Sequence, residues 1–435
     1  MQPCRIRRES KYALRFLSLP LLFFVTSVAA DNLVESLING TPDLFLRYRY
    51  EHVEDGRPGL KRAHASTLRT ALGYQTGTFY GFSVYGQFED VHAISADRYN
   101  DGGTNQINDR AVVVDPEGNE INQAFLRFSA IARTVVTYGR QEITQREAPL
   151  HRFVGNVLFR QNFQSFDAFR LVNLSLPQTT IDYAYVWNVN RIFGEDNPLP
   201  NASDFPMRSH LLNVQYGGFG FAKIEGYGYL LDFDGETAQH FSTATLGVRV
   251  QGDYVLTPKT KLNYAIEVAN QQDYAGNPNR VNVNYTAVEL GLSHALGNVV
   301  ESVALKLNFE RLGGKGNAAA FQTPLGTNHA FQGFADRFLV TPSDGIRDLF
   351  ASIGMKVFGA QFSTAYHVFH SDRGRYRYGS EWDVLVERPF AKNFLAGVKY
   401  ADYRADDNPD NVARNTIGEQ AFDLTKFWAY VQYKF

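Results

Sequence analysis

Sulfur chemistry is almost missing from this chain. Its only cysteine is Cys4, so beyond that position there is no disulfide and no thiolate metal site. No stretch after residue 30 reaches the roughly eighteen consecutive apolar residues of a spanning helix. A basic excess is lacking too: 43 Lys and Arg stand against 45 Asp and Glu, a formal charge of −2, which argues against a nucleic-acid partner. Catalytic and metal signatures are equally scarce. Gly313-Gly314-Lys315-Gly316 lacks the spacing of a phosphate loop and reads as a turn. His367 and His370, three apart on a strand, face opposite sides and share no metal. Asp406, Asp407 and Asp410 lack the EF-hand spacing and its glycine and read as a solvated loop. No Ser/His pair stands out as a nucleophile and its base. The expectation is a protein that is not an enzyme and needs neither cofactor nor metal.

What the chain does have is a distinct start and a repeating body. Arg5, Arg7, Arg8, Lys11 and Arg15 precede an apolar run from Phe16 to Val28, and Val28-Ala29-Ala30 offers small residues for cleavage before Asp31. Residues 1–30 therefore read as a cleavable signal peptide. They hold five of the 43 basic residues and one of the 45 acidic ones, so 38 face 44 in the remainder, a formal charge of −6. Aromatics are abundant, with 24 Tyr and 34 Phe. After residue 30 the chain alternates apolar and polar residues: Leu44, Leu46, Tyr48 and Tyr50 against Phe45, Arg47, Arg49 and Glu51, and Val303, Leu305, Leu307 and Phe309 against Ala304, Lys306, Asn308 and Glu310. Period two means strands with one apolar and one polar face.

About eighteen such segments are legible, an even count in the range of bacterial outer-membrane barrels. Their connections alternate. Those near 75–78, 129–133, 175–179, 217–220, 294–298 and 358–360 are tight, whereas those near 90–120, 143–164, 190–208, 311–345 and 403–423 are long. Short periplasmic turns and long extracellular loops produce this asymmetry. Phe427, Ala429, Val431, Tyr433 and Phe435 share one face and end on phenylalanine, like the terminal strand signal of the outer-membrane assembly machinery. Residues 31–435 thus read as one all-β domain: a transmembrane antiparallel up-and-down β-barrel in the lipid bilayer of the cell outer membrane of a Gram-negative bacterium. Its first strand is expected near Leu44, which leaves too little chain before it for a plug.

Four stretches resemble the alginate export family of outer-membrane porins: Gly139-Arg140-Gln141-Glu142-Ile143, the runs at 152–171 and 182–194, and FQTPLGTNHAFQGFADRF at 321–338. The resemblance implies an eighteen-stranded barrel with a polar lumen and a role in passing solutes, polysaccharide secretion in the family's namesake.

If the apolar face meets lipid, the alternate positions line the pore. Arg47, Arg49, Arg69, Arg127 and Arg170 then face inward, with Arg140 ambiguous in register. Arg249, Lys223, Lys306 and Lys399 follow, alongside Glu225, Glu267, Glu289, Glu310, Glu381, Asp383 and Glu387. One wall is mostly cationic and the other mixed to acidic. Such charges either pair across strands or set up a field that selects solutes. Arginine's planar fork suits carboxylates and phosphates. The expected cargo is a small hydrophilic solute, favouring anionic or uronate-type oligosaccharides and moving by passive diffusion. A dedicated secretion channel for alginate or another exopolysaccharide is the alternative, although the lumen carboxylates would repel a long polyanion. A non-conducting structural barrel or an outer-membrane hydrolase stands further back. Phe321, Phe331, Phe334 and Phe338, with Pro324 and Pro342, make the loop at 311–345 too apolar and stiff to wave freely. It either packs on the rim or folds inward and narrows the pore. Oligomeric state, monomer or trimer, and any periplasmic partner stay open.

Overall fold

The computed structural model describes residues 32–94, 98–147, 151–316, 319–408, 410–411 and 418–435. The signal segment and Cys4 lie outside the described residues. A short helix, α1 (Leu33–Ile38), precedes eighteen strands: β1 (Thr41–Asp55), β2 (Ala63–Gln75), β3 (Phe82–Ala93), β4 (Gly118–Phe128), β5 (Thr134–Gln141), β6 (Ser165–Asn173), β7 (Thr179–Asn190), β8 (Asp204–Tyr216), β9 (Lys223–Leu231), β10 (Thr243–Thr257), β11 (Thr260–Asp273), β12 (Asn282–Ala295), β13 (Val300–Leu312), β14 (Ile346–Val357), β15 (Ala360–His370), β16 (Arg377–Phe390), β17 (Phe394–Ala405) and β18 (Leu424–Lys434).

Each strand pairs antiparallel with its neighbours in sequence, and β1 also pairs with β18, so the sheet closes. Closure leaves no unpaired edge, the condition for a sheet to sit in lipid. The seam runs from Phe45 opposite Lys434 to Asp55 opposite Leu424, and the Phe435 amide donates to the Leu44 carbonyl at 2.9 Å. Phe435 is therefore part of the seam itself.

Alternation explains which way each side chain points. On β2, Leu72 is 57% exposed while Ala71 next to it is fully buried. Leu126, Ile266, Leu290, Leu307 and Val398 are likewise exposed on the outside, and Arg49, Glu89, Glu267 and Glu381 are buried inside. Apolar outside and charged inside is the reverse of a water-soluble domain and matches a wall facing hydrocarbon. No described helix is long and apolar enough to cross a membrane.

The connections fall into two sets, as the alternating loop lengths imply. Tight turns join β2 to β3, β4 to β5 and so on to β16 and β17, the shortest being the two-residue turns between β10 and β11 and between β14 and β15. The opposite end carries the long connections, notably 94–117, 142–164 and 313–345. The helix α1 is a departure from the expected start. The Asn32 side chain accepts the Glu35 amide at 2.8 Å as its N-cap, and the Gly77 amide donates to the Ser36 carbonyl at 2.8 Å, which fixes α1 under the β2–β3 turn.

Candidate functional site: a lumen filled by two interlocked loops

The interior of the barrel is occupied at the long-loop end by the described residues of segments 142–164 and 313–345, the first and second inward loops. They hold each other. The Gly155 amide donates to the Leu325 carbonyl at 2.9 Å, and the Thr327 amide to the His151 carbonyl at 2.8 Å. The Gln164 side-chain Nε2 donates to both the Gly155 and Leu325 carbonyls, at 2.7 and 3.1 Å. Phe159 stacks on His329 at 3.8 Å between ring centroids, with Trp428 of β18 edge-on to both.

The first inward loop docks through charge. Against β1 and β2 it offers backbone carbonyls. Arg47 donates to the carbonyls of Leu158 (2.8 Å) and Arg160 and to the Gln161 side chain at 2.9 Å. Arg49 donates to the Phe159 carbonyl and pairs with Asp115 of the 94–117 loop. Arg69 reaches the Gln161 carbonyl at 2.8 Å and pairs with Glu89 at 2.5 Å, its guanidinium 3.3 Å from the Phe163 ring centroid. Against the acidic wall the same loop offers two arginines: Arg146 spans Glu225 (2.6 Å) and Glu267 (2.7 Å), and Arg152 meets Glu310 at 2.8 Å. A third, Arg160, joins Glu51 of β1 (3.1 Å) to Asp336 of the second inward loop (3.3 Å). Buried charges survive only when paired and hydrogen-bonded in this way.

The second inward loop docks through rings and through its backbone. Phe321, fully buried, packs on Tyr285 of β12 at 5.5 Å and on Phe153 at 5.9 Å. Phe338 packs on Phe369, Tyr378 and Tyr403 at 4.7, 5.5 and 5.9 Å. Phe331 lies under the Arg152 guanidinium, 4.8 Å away, and Phe334 under the Lys399 ammonium, 3.3 Å away. The Ala335 amide donates to Glu381 at 2.7 Å and the Phe334 amide to Asp383 at 3.1 Å. Gly333 makes this approach possible. Its φ is +78°, and a Cβ there would sit 2.4 Å from the Glu381 carboxylate.

Protonation follows from burial. The His329 imidazole is pushed down to about 3 by burial, so it is neutral. A neutral ring fits its contacts: Nδ1 donates to Asp336 at 2.7 Å and Nε2 accepts from Lys399 at 2.6 Å. Asp336 feels burial, which raises it, but His329, Lys426 and Arg160 hold it well below the usual carboxylate range.

The inward placement expected of Arg47, Arg49, Arg69, Arg127, Arg170, Arg249, Lys306, Glu267, Glu289, Glu381 and Asp383 agrees with their strands' alternation, but few are left free. Arg170 is held bidentate by Asp182 at 2.6 and 2.9 Å, Arg249 by Glu267 at 3.0 Å, and Lys306 by Glu289 at 3.2 Å. The two oppositely charged walls meet opposite partners on the first inward loop, so their segregation serves loop docking and little open field remains. Arg140 does not join them. It shares a face with outward Tyr138 and pairs with Asp167 at 2.9 Å. Arg127 is the exception: among the described residues it has no carboxylate within ion-pair distance, only the Phe125 ring at 5.2 Å.

Sequence reasoning singled out the second inward loop and missed the first, along with Arg146, Arg152 and Arg160. The signal was present, since Phe153, Val154, Val157, Leu158, Phe159 and Phe163 make 152–163 as apolar as 321–338. Among the described residues no group of three or more His, Cys, Asp or Glu could hold a metal ion.

No protein-family model and no curated protein matches this sequence. Solved structures do. The chain is similar to OccAB4 of Acinetobacter baumannii, with a TM-score of 0.68 at 12% identity over 91% of this chain and 98% of that one. OccK9 (OpdG) of Pseudomonas aeruginosa matches with a TM-score of 0.68 at 11% identity, over 92% and 99%. OpdK of Pseudomonas aeruginosa, solved with vanillate, matches with a TM-score of 0.64 at 12% identity, over 92% and 99%. The chain therefore has the closed eighteen-stranded antiparallel fold of outer-membrane porin structures.

Proposed function

We propose that the protein is an outer-membrane channel that passes small hydrophilic solutes by passive diffusion, with the two inward loops as its constriction. The observation that carries this reading is the interlock of the loops inside a closed barrel whose outer wall is apolar. An eighteen-stranded barrel without inner loops encloses a wide aqueous channel; two loops held by buried ion pairs reduce it to a selective opening. A purely structural barrel would gain nothing from polar walls along its bore, and the reading needs neither catalysis nor cofactor. Cleavage of residues 1–30, the single domain 31–435 and recognition of Phe435 by the outer-membrane assembly machinery belong to the same proposal.

For cargo, we favour anionic solutes, uronate-type oligosaccharides among them. Arg127 supports this as a lumen-face cation without an ion pair among the described residues, and the vanillate of OpdK gives a carboxylate precedent on the same fold. The likeness to the alginate export family rests on four stretches, and two of them, 152–171 and 321–338, contribute to the inward loops. Bulk export of a polyanion is the weaker reading, because docked loops and buried carboxylates oppose a long charged polymer. The test is reversal potential in a salt gradient across a planar bilayer, with and without uronate oligosaccharides. Anion preference that falls in Arg127→Ala supports the proposal. Cation preference without block by the sugar removes the anionic cargo, and absence of any conductance removes the channel.

A further inference from the structure

On the outer wall, four residues that carry or can carry positive charge form one cross-strand row. Arg311 of β13 is the register partner of Arg347 of β14, Arg347 of His370 of β15, and His370 of Arg377 of β16. Their strands' alternation puts them outside: Leu312, Ile346 and Phe369 beside them are buried inward. With strands about 4.8 Å apart, the row spans about 14 Å. Like charges directly opposite one another destabilise a sheet, so such a row calls for anions. Among the described residues Asp372 alone forms ion pairs with the row, although Asp406 also acts on His370 by its charge and lines a cavity with Arg377. Asp372 accepts from Arg311 at 2.7 and 2.9 Å and from Arg347 at 2.9 Å. Both arginines keep about a third of their side-chain surface open, at 35% and 30%. Arg377 has no ion pair among the described residues and its Nε is buried without a partner. The adjoining hairpin 371–376 adds Arg373 and Arg375, both exposed.

One step toward the tight turns, the same outward face becomes apolar. Phe309, Leu349 and Val368 are register partners in the next outward row, and Leu349 is 50% exposed. Cations therefore sit on the rim of the hydrocarbon belt at the long-loop end. We propose that this row binds the phosphate groups of a phosphorylated glycolipid in the outer leaflet, the arginine forks gripping phosphate while acyl chains lie on the rows below. The charge pattern selects an anion, the row's width suits a headgroup carrying more than one phosphate, and the apolar rows beneath favour a lipid over a free ion. By contrast, exposed Arg208 meets both Asp232 and Asp234, and exposed Arg404 meets both Asp402 and Asp423. The inference rests on the outer-membrane orientation proposed above, but its test does not involve conduction.

The experiment is native mass spectrometry of the detergent-purified barrel titrated with lipid A bearing two phosphates and with its dephosphorylated form. Heat-dependent gel mobility reports that each variant is folded. The expected result is retention of the bis-phosphorylated lipid by the unaltered protein and at least tenfold weaker binding in Arg311→Gln/Arg347→Gln/Arg377→Gln. The matching Arg→Lys triple should keep most of the binding, since charge is preserved. Should the Gln triple fail to fold, Arg377→Gln alone, which breaks no ion pair, is expected to weaken binding several-fold. Equal binding of the dephosphorylated lipid, displacement by inorganic phosphate at matching concentration, or unchanged binding in the Gln variants would each overturn the proposal.

Discussion

The two inward loops occupy the same lumen but are held by different forces. The first, 142–164, is fastened by arginines and backbone carbonyls: Arg146 and Arg152 reach the acidic wall, Arg160 ties Glu51 of β1 to Asp336, and Arg47, Arg49 and Arg69 reach in from the cationic wall. The second, 313–345, is fastened by Phe321 and Phe338 packed on wall aromatics, with its bend hung on Glu381 and Asp383. Charge-based docking is specific in direction and fails steeply when one partner is removed, because the other is left buried and unpaired. Ring-based docking degrades locally, in proportion to the volume lost. The contrast implies that the first loop sets where the pair sits and the second fills the space.

The largest effect is expected at the residue both loops share. Arg160→Ala removes two buried ion pairs at once, leaving Glu51 with only Arg49 at 3.6 Å and Asp336 with Lys426 at 2.8 Å, and should cost about 3–5 kcal/mol of docking. Limited proteolysis of the folded barrel should then find both loops newly open; cleavage confined to one would break the comparison. Phe338→Ala should cost about 3 kcal/mol and open the second loop alone, because its ring touches only β15, β16 and β17 aromatics.

Acid should have a smaller, graded effect. His329 is faced by Asp336 of its own loop, Lys399 of β17, Phe159 of the first loop, Phe334 and Trp428, with Arg160 nearby. Docked, it takes up a proton only near 3; released, it does so near the ordinary value of about 6.5. Docking is thus at full strength above about 6.5, weakens as pH falls and the released state binds the proton first, and levels off near 3. Protease sensitivity between pH 6.5 and 5 should rise in the unaltered protein and stay flat in His329→Gln. A flat profile in both would mean that the imidazole does not report docking.

Much of this architecture was legible in the residues. Strict period two in β1, β2, β7 and β13 gave strands and their faces, because a pleated backbone admits no other assignment of alternate side chains. Loop asymmetry gave the closed barrel. The lumen residues followed by parity alone. Their partners did not, since which carboxylate meets Arg146 or Arg160 depends on how a twenty-residue loop folds in three dimensions, and no local period encodes that. For this reason the sequence left Arg49 and Arg69 as lumen charges either paired or open, and the structure buries them against Asp115 and Glu89. The α1 helix escaped because six residues carry too little periodicity, although its Asn32 cap and Glu35 were visible. The arginine row on the outer wall was hidden as well: Arg311, Arg347, His370 and Arg377 become neighbours only through strand register.

The central claim is that the loops narrow a channel that the barrel would otherwise leave wide. Single-channel conductance in a planar bilayer, compared between the full chain and one lacking residues 316–335, tests it most directly. The account predicts stepwise openings in both, with conductance several-fold higher and solute preference weaker in the shortened chain. Equal conductance in the two would contradict it and leave the second loop as a packed lining with no part in setting the pore.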